Sequence, residues 1–214
     1  TIFDPAPVCS KTSYGNAGVI SPWTCVPQSM PGLWKQVPGW LIDPDGPVSI
    51  RPSYMPKLLP WVLRFLAAGR PERLDPVANA MFRLSKGSVA AYKKRLAGTG
   101  KEQLIRDSMY VHVYRNPKSA SLDHLGWQLR QARQVPIELI NKSALREIEP
   151  DIADEYQAAI LIKQQGRTSD PAGIGIALAG KALALGASHI QTKVQEINPD
   201  QGEGCRLVTE QGEY

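Results

Sequence analysis

The sequence predicts an α/β chain, part of a doubly wound sheet interrupted by an α+β region, and three observations carry that prediction. The chain opens on a short apolar strand, Thr1-Ile2-Phe3, that closes on Asp4 and runs toward a small, polar loop, Thr12-Ser13-Tyr14-Gly15-Asn16-Ala17-Gly18. Far downstream, Ser169-Asp170-Pro171 starts a helix that Gly186 ends, and a strand, Ser188-His189-Ile190-Gln191-Thr192, follows; together they read as half of a parallel crossover unit. Between these ends, Met109 to Tyr114 alternates with period two amid segments of helical spacing.

A strand that ends in a carboxylate and leads to such a loop is a plausible nucleotide cradle. Asp4 can accept both ribose hydroxyls, while the loop presents bare backbone N–H groups to phosphate. The glycine fingerprint that accompanies such an acid lies about 20 to 30 residues upstream, on the first strand-to-helix turn. It would fall before Thr1, so the sequence is expected to be a piece of a larger protein.

From Ser21 to Pro76 the chain holds most of its prolines and four of its five tryptophans, with turn pairs such as Pro31-Gly32, Pro38-Gly39 and Gly46-Pro47. This predicts an irregular excursion over a surface that carries function or covers something. Within it, Lys57 to Ala68 is the longest apolar stretch, too short to span a bilayer and broken by Pro60 and Arg64. Leu58, Leu59, Val62, Phe65 and Leu66 share a helical face with Trp61 beside it, as in a core helix or an interfacial anchor. Val77 to Leu96 reads as two tandem helices broken around Gly87.

The alternating segment places Tyr110, His112 and Tyr114 on one face of a strand, either the wetter side of a half-buried sheet or the wall of a substrate cavity. Asp123 to Gln134 is expected to be helical, Val135 to Leu139 to begin a return strand, and Ser143 to cap a short helix ending at Pro150. In the helix opened by Asp170 and Pro171, Gly173, Ala177, Gly180 and Ala184 form a stripe of small side chains at spacings of four, three and four. That stripe, flanked by Ile174, Leu178 and Leu185, is expected to pack on a sheet while Lys181 points outward. Gly173-Ile174-Gly175 is no dinucleotide fingerprint: Leu178 stands where the third glycine belongs, and the pair lies inside the helix's first turn. Residues 198–204 read as a polar hairpin turn, and Cys205 to Thr209 as a strand.

With 214 residues, 43% hydrophobic and 21% charged, the chain can bury a core in one or two domains. The net charge of +5 and the pI near 9.1 raise nucleic-acid binding as an option. The basic residues are scattered, however, and only Lys93-Lys94-Arg95 forms a run, which a solvated helix face explains; no nucleic-acid partner is expected. Cys9, Cys25 and Cys205 lack metal spacing and leave an odd thiol if two pair, so a reducing compartment fits and no disulfide framework is expected. His112, His124 and His189 are too dispersed to predict a metal site.

At Ile2-Phe3-Asp4-Pro5, Thr12 to Pro22, Glu147-Ile148-Glu149-Pro150 and Thr168-Ser169-Asp170-Pro171, the sequence resembles the FAD-dependent D-amino-acid oxidase superfamily, and within it the bacterial D-amino-acid dehydrogenases. The resemblance covers nearly the whole chain in order. It implies FAD as cofactor, with the ribose on Asp4, where family members often carry Glu. It also implies Thr12, Ser13, Asn16, Ala17 and Gly18 along the pyrophosphate and flavin, and the backbone of Val194 against the adenine ring. It implies a discontinuous FAD-binding domain over 1–22 and 150–214, with a connector and substrate-type domain over 23–149. The implied activity is oxidation of D-amino acids to keto acids and ammonia, electrons passing through FAD to a respiratory acceptor; another amine substrate, or a non-catalytic module without FAD, is the alternative. The same resemblance implies a cytoplasmic protein, with peripheral contact at the inner face of the bacterial membrane as a variant. No catalytic residue is assigned, because the segment that grips the substrate carboxylate in such enzymes lies beyond Tyr214. The chain alone is expected to bind FAD weakly or not at all.

Overall fold

The computed structural model describes residues 1–44, 46, 48–199 and 204–214. In chain order these form β1 (Ile2–Phe3), β2 (Val19–Ile20), α1 (Val37–Ile42), α2 (Met55–Ala68), α3 (Pro71–Ser85), α4 (Ser88–Leu96), β3 (Arg106–Tyr114), α5 (Leu125–Gln131), β4 (Ile137–Asn141), α6 (Lys142–Ile148), β5 (Ala158–Arg167), α7 (Pro171–Ala184), β6 (His189–Ile190), β7 (Val194–Pro199), β8 (Cys205–Thr209) and β9 (Gly212–Glu213). The chain divides by packing into two compact units: Thr1–Ile20, Ser88–Ser108 and Gln165–Tyr214 form the first, Ser21–Gly87 and Met109–Gln164 the second.

The first unit is α/β. β1 pairs in parallel with β6, with Ile2 opposite His189 and Phe3 opposite Ile190, so the crossover pairing expected at the chain's two ends is present. β2 runs antiparallel to the end of β5, and β7, β8 and β9 form an antiparallel three-stranded sheet. The hairpin turn expected over 198–204 lies largely outside the described residues, as does Pro47 of the expected Gly46-Pro47 turn. The core of this unit gathers Ile20, Leu96, Ile105 and Ile174, with Val89, Leu104, Ala177 and Leu178 against them.

Helix α7 begins as expected. Asp170 accepts the N–H of Gly173 at 2.7 Å, Pro171 takes the first helical position where no N–H is needed, and Gly186 follows the helix at φ +94°. Its packing meets the expectation in part. Ile174, Ala177 and Leu178 face the core, whereas Gly180 and Ala184 of the stripe are exposed and Leu185 is 80% exposed; apolar bulk, not the small stripe, decides which face is buried. Lys181 does not point outward either. Its ammonium donates to the carbonyls of Arg95 at 2.9 Å and Ala97 at 2.6 Å, the open C-terminal end of α4.

The second unit is α+β. β5 is its spine: Ala158 to Ile162 are all buried, and β5 pairs with β3 and antiparallel with β4, Ile137 opposite Ile162 through Asn141 opposite Ala158. The sequence reading missed this strand, whose apolar run lacks the alternation of a half-exposed strand because both faces are covered. Ile160 and Ile162 join Cys25, Trp127 and Val135 on one side, while Ala159 and Leu161 join Ile140 and Leu145 on the other.

The excursion expected over Ser21 to Pro76 is half helical, since α1, α2 and the start of α3 lie inside it. Pro71 occupies the first turn of α3, where proline is tolerated, and Pro60 and Pro76 sit within helices that continue through them. α2 buries no residue fully; Leu59, Trp61 and Leu63 are exposed and Leu58, Val62, Phe65 and Leu66 half-buried, so it is not a core helix in this unit. Among the described residues no helix is long and apolar enough to cross a membrane. The tandem helices divided at Gly87 are α3 and α4. The short helix α6 is capped by Asn141, whose Oδ1 accepts the N–H of Ala144 at 3.0 Å, and not by Ser143: the strand β4 turns into the helix two residues sooner than expected.

Candidate functional site

In the first unit the end of β1 and the 12–18 loop hold six of the seven residues marked out by the sequence. Asp4 is exposed at the carboxyl end of β1, where its N–H donates to Ile190 and Oδ1 accepts the N–H of Ala6 at 2.8 Å. One carboxylate oxygen is thereby engaged in a local turn. In parallel α/β sheets ligands bind at the carboxyl ends of strands, which is where Asp4 stands.

The loop is held by its own backbone. Gly18 is buried at φ +66°, and the carbonyl of Gly18 accepts the N–H of Thr168 at 2.7 Å, extending the β2–β5 ladder by one residue. A side chain at Gly18 would put its Cβ 2.0 Å from the Thr168 carbonyl oxygen, so the close approach of the two strands requires glycine here. The N–H of Gly18 is not bare as the sequence reading expected: Asn16 Oδ1 accepts it at 2.8 Å. An Asx turn satisfies that donor because Asn16 stands two residues before it. Thr12, Asn16 and Ala17 are exposed and Ser13 is half-buried.

Ser13, Asn16, Gly18, Thr168, Pro171 and Gly175 line a cleft of about 180 Å³, so the loop and the start of α7 adjoin although some 150 residues of sequence separate them. The reason is the β2–β5 ladder, which carries the chain from Thr168 straight into the Asp170 cap. Val194, the seventh residue, opens β7 opposite Thr209 and does not line this cleft.

The second unit holds a cleft of about 330 Å³ lined by Trp23, Cys25, Tyr110, His112, Arg130 and Ile162 among others. Tyr110 and His112 therefore face a cavity; Tyr114, two residues on, packs instead on the Trp127 cluster. The His112 ring meets Trp127 edge-on, centroids 5.2 Å apart and planes at 90°. Burial, with the Arg130 charge as a smaller cause, holds its imidazole below the ordinary range. Burial pushes the Cys25 thiol up, against the pull of Arg130 and Arg133. Cys25 and Arg130 escaped the sequence reading: one is an isolated cysteine, the other one arginine among many, and only the fold brings them beside β3. Among the described residues, no group of three or more His, Cys, Asp or Glu side chains converges as a metal site would require.

The parallel β1–β6 pair closed by an acid, with a glycine-bearing loop locked against a capped helix, defines a chain of the nucleotide-cofactor α/β class. The chain belongs to the FAD dependent oxidoreductase family, whose profile it matches over residues 1–214. It is 36% identical over 217 residues to a D-amino-acid oxidase of Bradyrhizobium diazoefficiens, covering 100% of this chain and 51% of that protein. It is 25% identical over 205 residues to a D-amino acid dehydrogenase of Rhizobium rhizogenes, covering 94% of this chain and 49% of that protein. The chain thus spans about half the length of the curated relatives it matches. Among solved structures, glycine oxidase from Geobacillus kaustophilus shares the fold with a TM-score of 0.56 at 17% identity, over 100% of this chain and 45% of that one.

Proposed function

We propose that the protein containing this chain oxidises D-amino acids with FAD, giving a keto acid and ammonia. The observation that carries the reading is Asp4, an exposed carboxylate at the carboxyl end of a parallel strand, in a chain matched to the family from end to end. When bound, FAD would supply the acceptor for the hydride that leaves the substrate's Cα–H bond as the Cα–N bond becomes an imine, which water hydrolyses to the keto acid and ammonia. The chain's own residues bind and orient. Asp4 keeps one carboxylate oxygen for the ribose hydroxyls, while the other fixes the turn to Ala6. Thr12, Ser13 and Ala17 offer the hydroxyls and backbone for the pyrophosphate side. Asn16 acts by holding Gly18, and through it the loop, and is a positioning residue. Val194 offers backbone to the adenine ring. In this reading the first unit is the cofactor unit and the second faces the substrate. The names of the relatives, oxidase and dehydrogenase of D-amino acids, support the substrate class. A respiratory acceptor in place of oxygen, and peripheral contact with the membrane, belong to the same proposal.

The test is the full-length protein purified with FAD, its visible absorption followed without oxygen as D-amino acids, L-amino acids and glycine are added singly. Bleaching by D-amino acids alone is the expected result. Bound flavin left oxidised by D-amino acids would refute the substrate class, and release of hydrogen peroxide in air at the full turnover rate would refute the acceptor. Asp4→Ala is expected to weaken FAD binding about tenfold or more, the scale of a lost charge-assisted hydrogen bond.

A further inference from the structure

We propose that the cleft of the second unit binds a small carboxylate with a compact apolar body, held by the guanidinium of Arg130. The contrast with Arg133, three residues on and just past the end of α5, is the starting point. Arg133 is buried and has a counter-charge: it donates to the Asp75 carboxylate at 2.7 Å, to the Asp75 carbonyl at 3.0 Å and to the Leu129 carbonyl at 3.0 Å, its Nε alone finding no partner among the described residues. Among the described residues Arg130 donates only to the Gly126 carbonyl, at 3.2 Å, and its Cζ lies 4.6 Å from the centroid of the Trp127 ring. Its Nε is buried with no partner among the described residues.

Arg130 is half-buried, and its buried, unpaired Nε–H with no counter-charge nearby leaves the guanidinium open to an anionic acceptor that one carbonyl and one ring face do not replace. Burial lowers the Arg130 pKa, and among the described residues the groups that raise it are Cys25 and Tyr114, both weak acids, with no carboxylate beside them. Among the described residues no acidic side chain lines the cleft, and burial pushes the Cys25 thiol up, away from the thiolate. The remaining wall is Ser21, Trp23, Thr24, Val26, Ile162 and the Tyr110 and His112 rings. A planar cationic fork in an otherwise neutral, largely apolar cavity of about 330 Å³ has the chemistry of a small carboxylate site. The inference rests on the second unit alone, so it stands or falls independently of flavin binding.

The 214-residue chain is titrated with butyrate and with butyramide, its neutral isostere, at constant ionic strength, following the emission of Trp23 and Trp127. The expected result is a saturable response to butyrate, butyramide at least about tenfold weaker, and loss of that preference in Arg130→Gln. Equal responses to the two probes, or butyrate binding unchanged in an Arg130→Gln variant with a native circular dichroism spectrum, would overturn it. Should Arg130→Gln fail to fold, Arg130→Lys keeps the charge and loses the fork; weaker butyrate binding in it supports the site, and unchanged binding refutes it.

Discussion

Gly18 and Gly15 both sit at positive φ, +66° and +72°, yet they differ in what a side chain would meet. At Gly15 nothing lies within 4 Å, and at Gly18 the Thr168 carbonyl blocks the position at 2.0 Å. Gly15→Ala is expected to lose about 1 kcal/mol by backbone strain alone. Gly18→Ala adds a steric clash with backbone and is expected to lose about 3 kcal/mol or more, read as the difference in urea midpoint. His112 sets a pH dependence of the same kind. Its pKa in the folded chain is lowered from 6.5, so the unfolded chain binds the proton more readily. The neutral ring's stabilisation is complete above that range and declines as the pH falls through 6.5 toward the folded value. His112→Phe is expected to shrink the drop in urea midpoint between pH 7.5 and pH 5.5; an unchanged drop would assign it to other groups.

Helix ends separate what residue types announce from what the chain does with them. Asp170→Ala is expected to destabilise α7 by about 1 kcal/mol, the usual size of a lost cap. Asn141→Ala should do the same to α6, while Ser143→Ala, at the position the sequence marked, should change thermal unfolding by less than about 0.5 kcal/mol. The Asp-Pro start of α7 was legible because both residues favour one location. Asn141 was not, because it also ends β4, and a residue shared by strand and helix carries no single signature. Lys181→Met is expected to fray the end of α4 by about 0.5 kcal/mol, visible as faster amide exchange at Ala97 and Thr99. Its role was hidden in sequence, since the carbonyls it reaches belong to residues more than eighty positions earlier.

For the molecule as a whole, the 214-residue chain is expected to retain little or no FAD after gel filtration, whereas the full-length protein retains about one per chain; tight flavin on the shorter chain would overturn this. The sequence by itself determined the α/β class, the strand closed by Asp4, the family, and the capped helix α7, because each rests on local residue chemistry or on a motif contiguous in the chain. The tertiary structure alone decided three things. It made β5 a strand buried on both faces, which erased the alternation that marks strands. It turned the face of α7 so that Ile174, Ala177 and Leu178 pack while Gly180 and Ala184 of the small stripe lie open, because burial follows apolar area and not permissive shape. It gathered Trp23, Cys25, His112 and Arg130, from three separate segments, around one cleft. Contacts between residues distant in sequence depend on the pairing of β3, β4 and β5, and no local pattern encodes them.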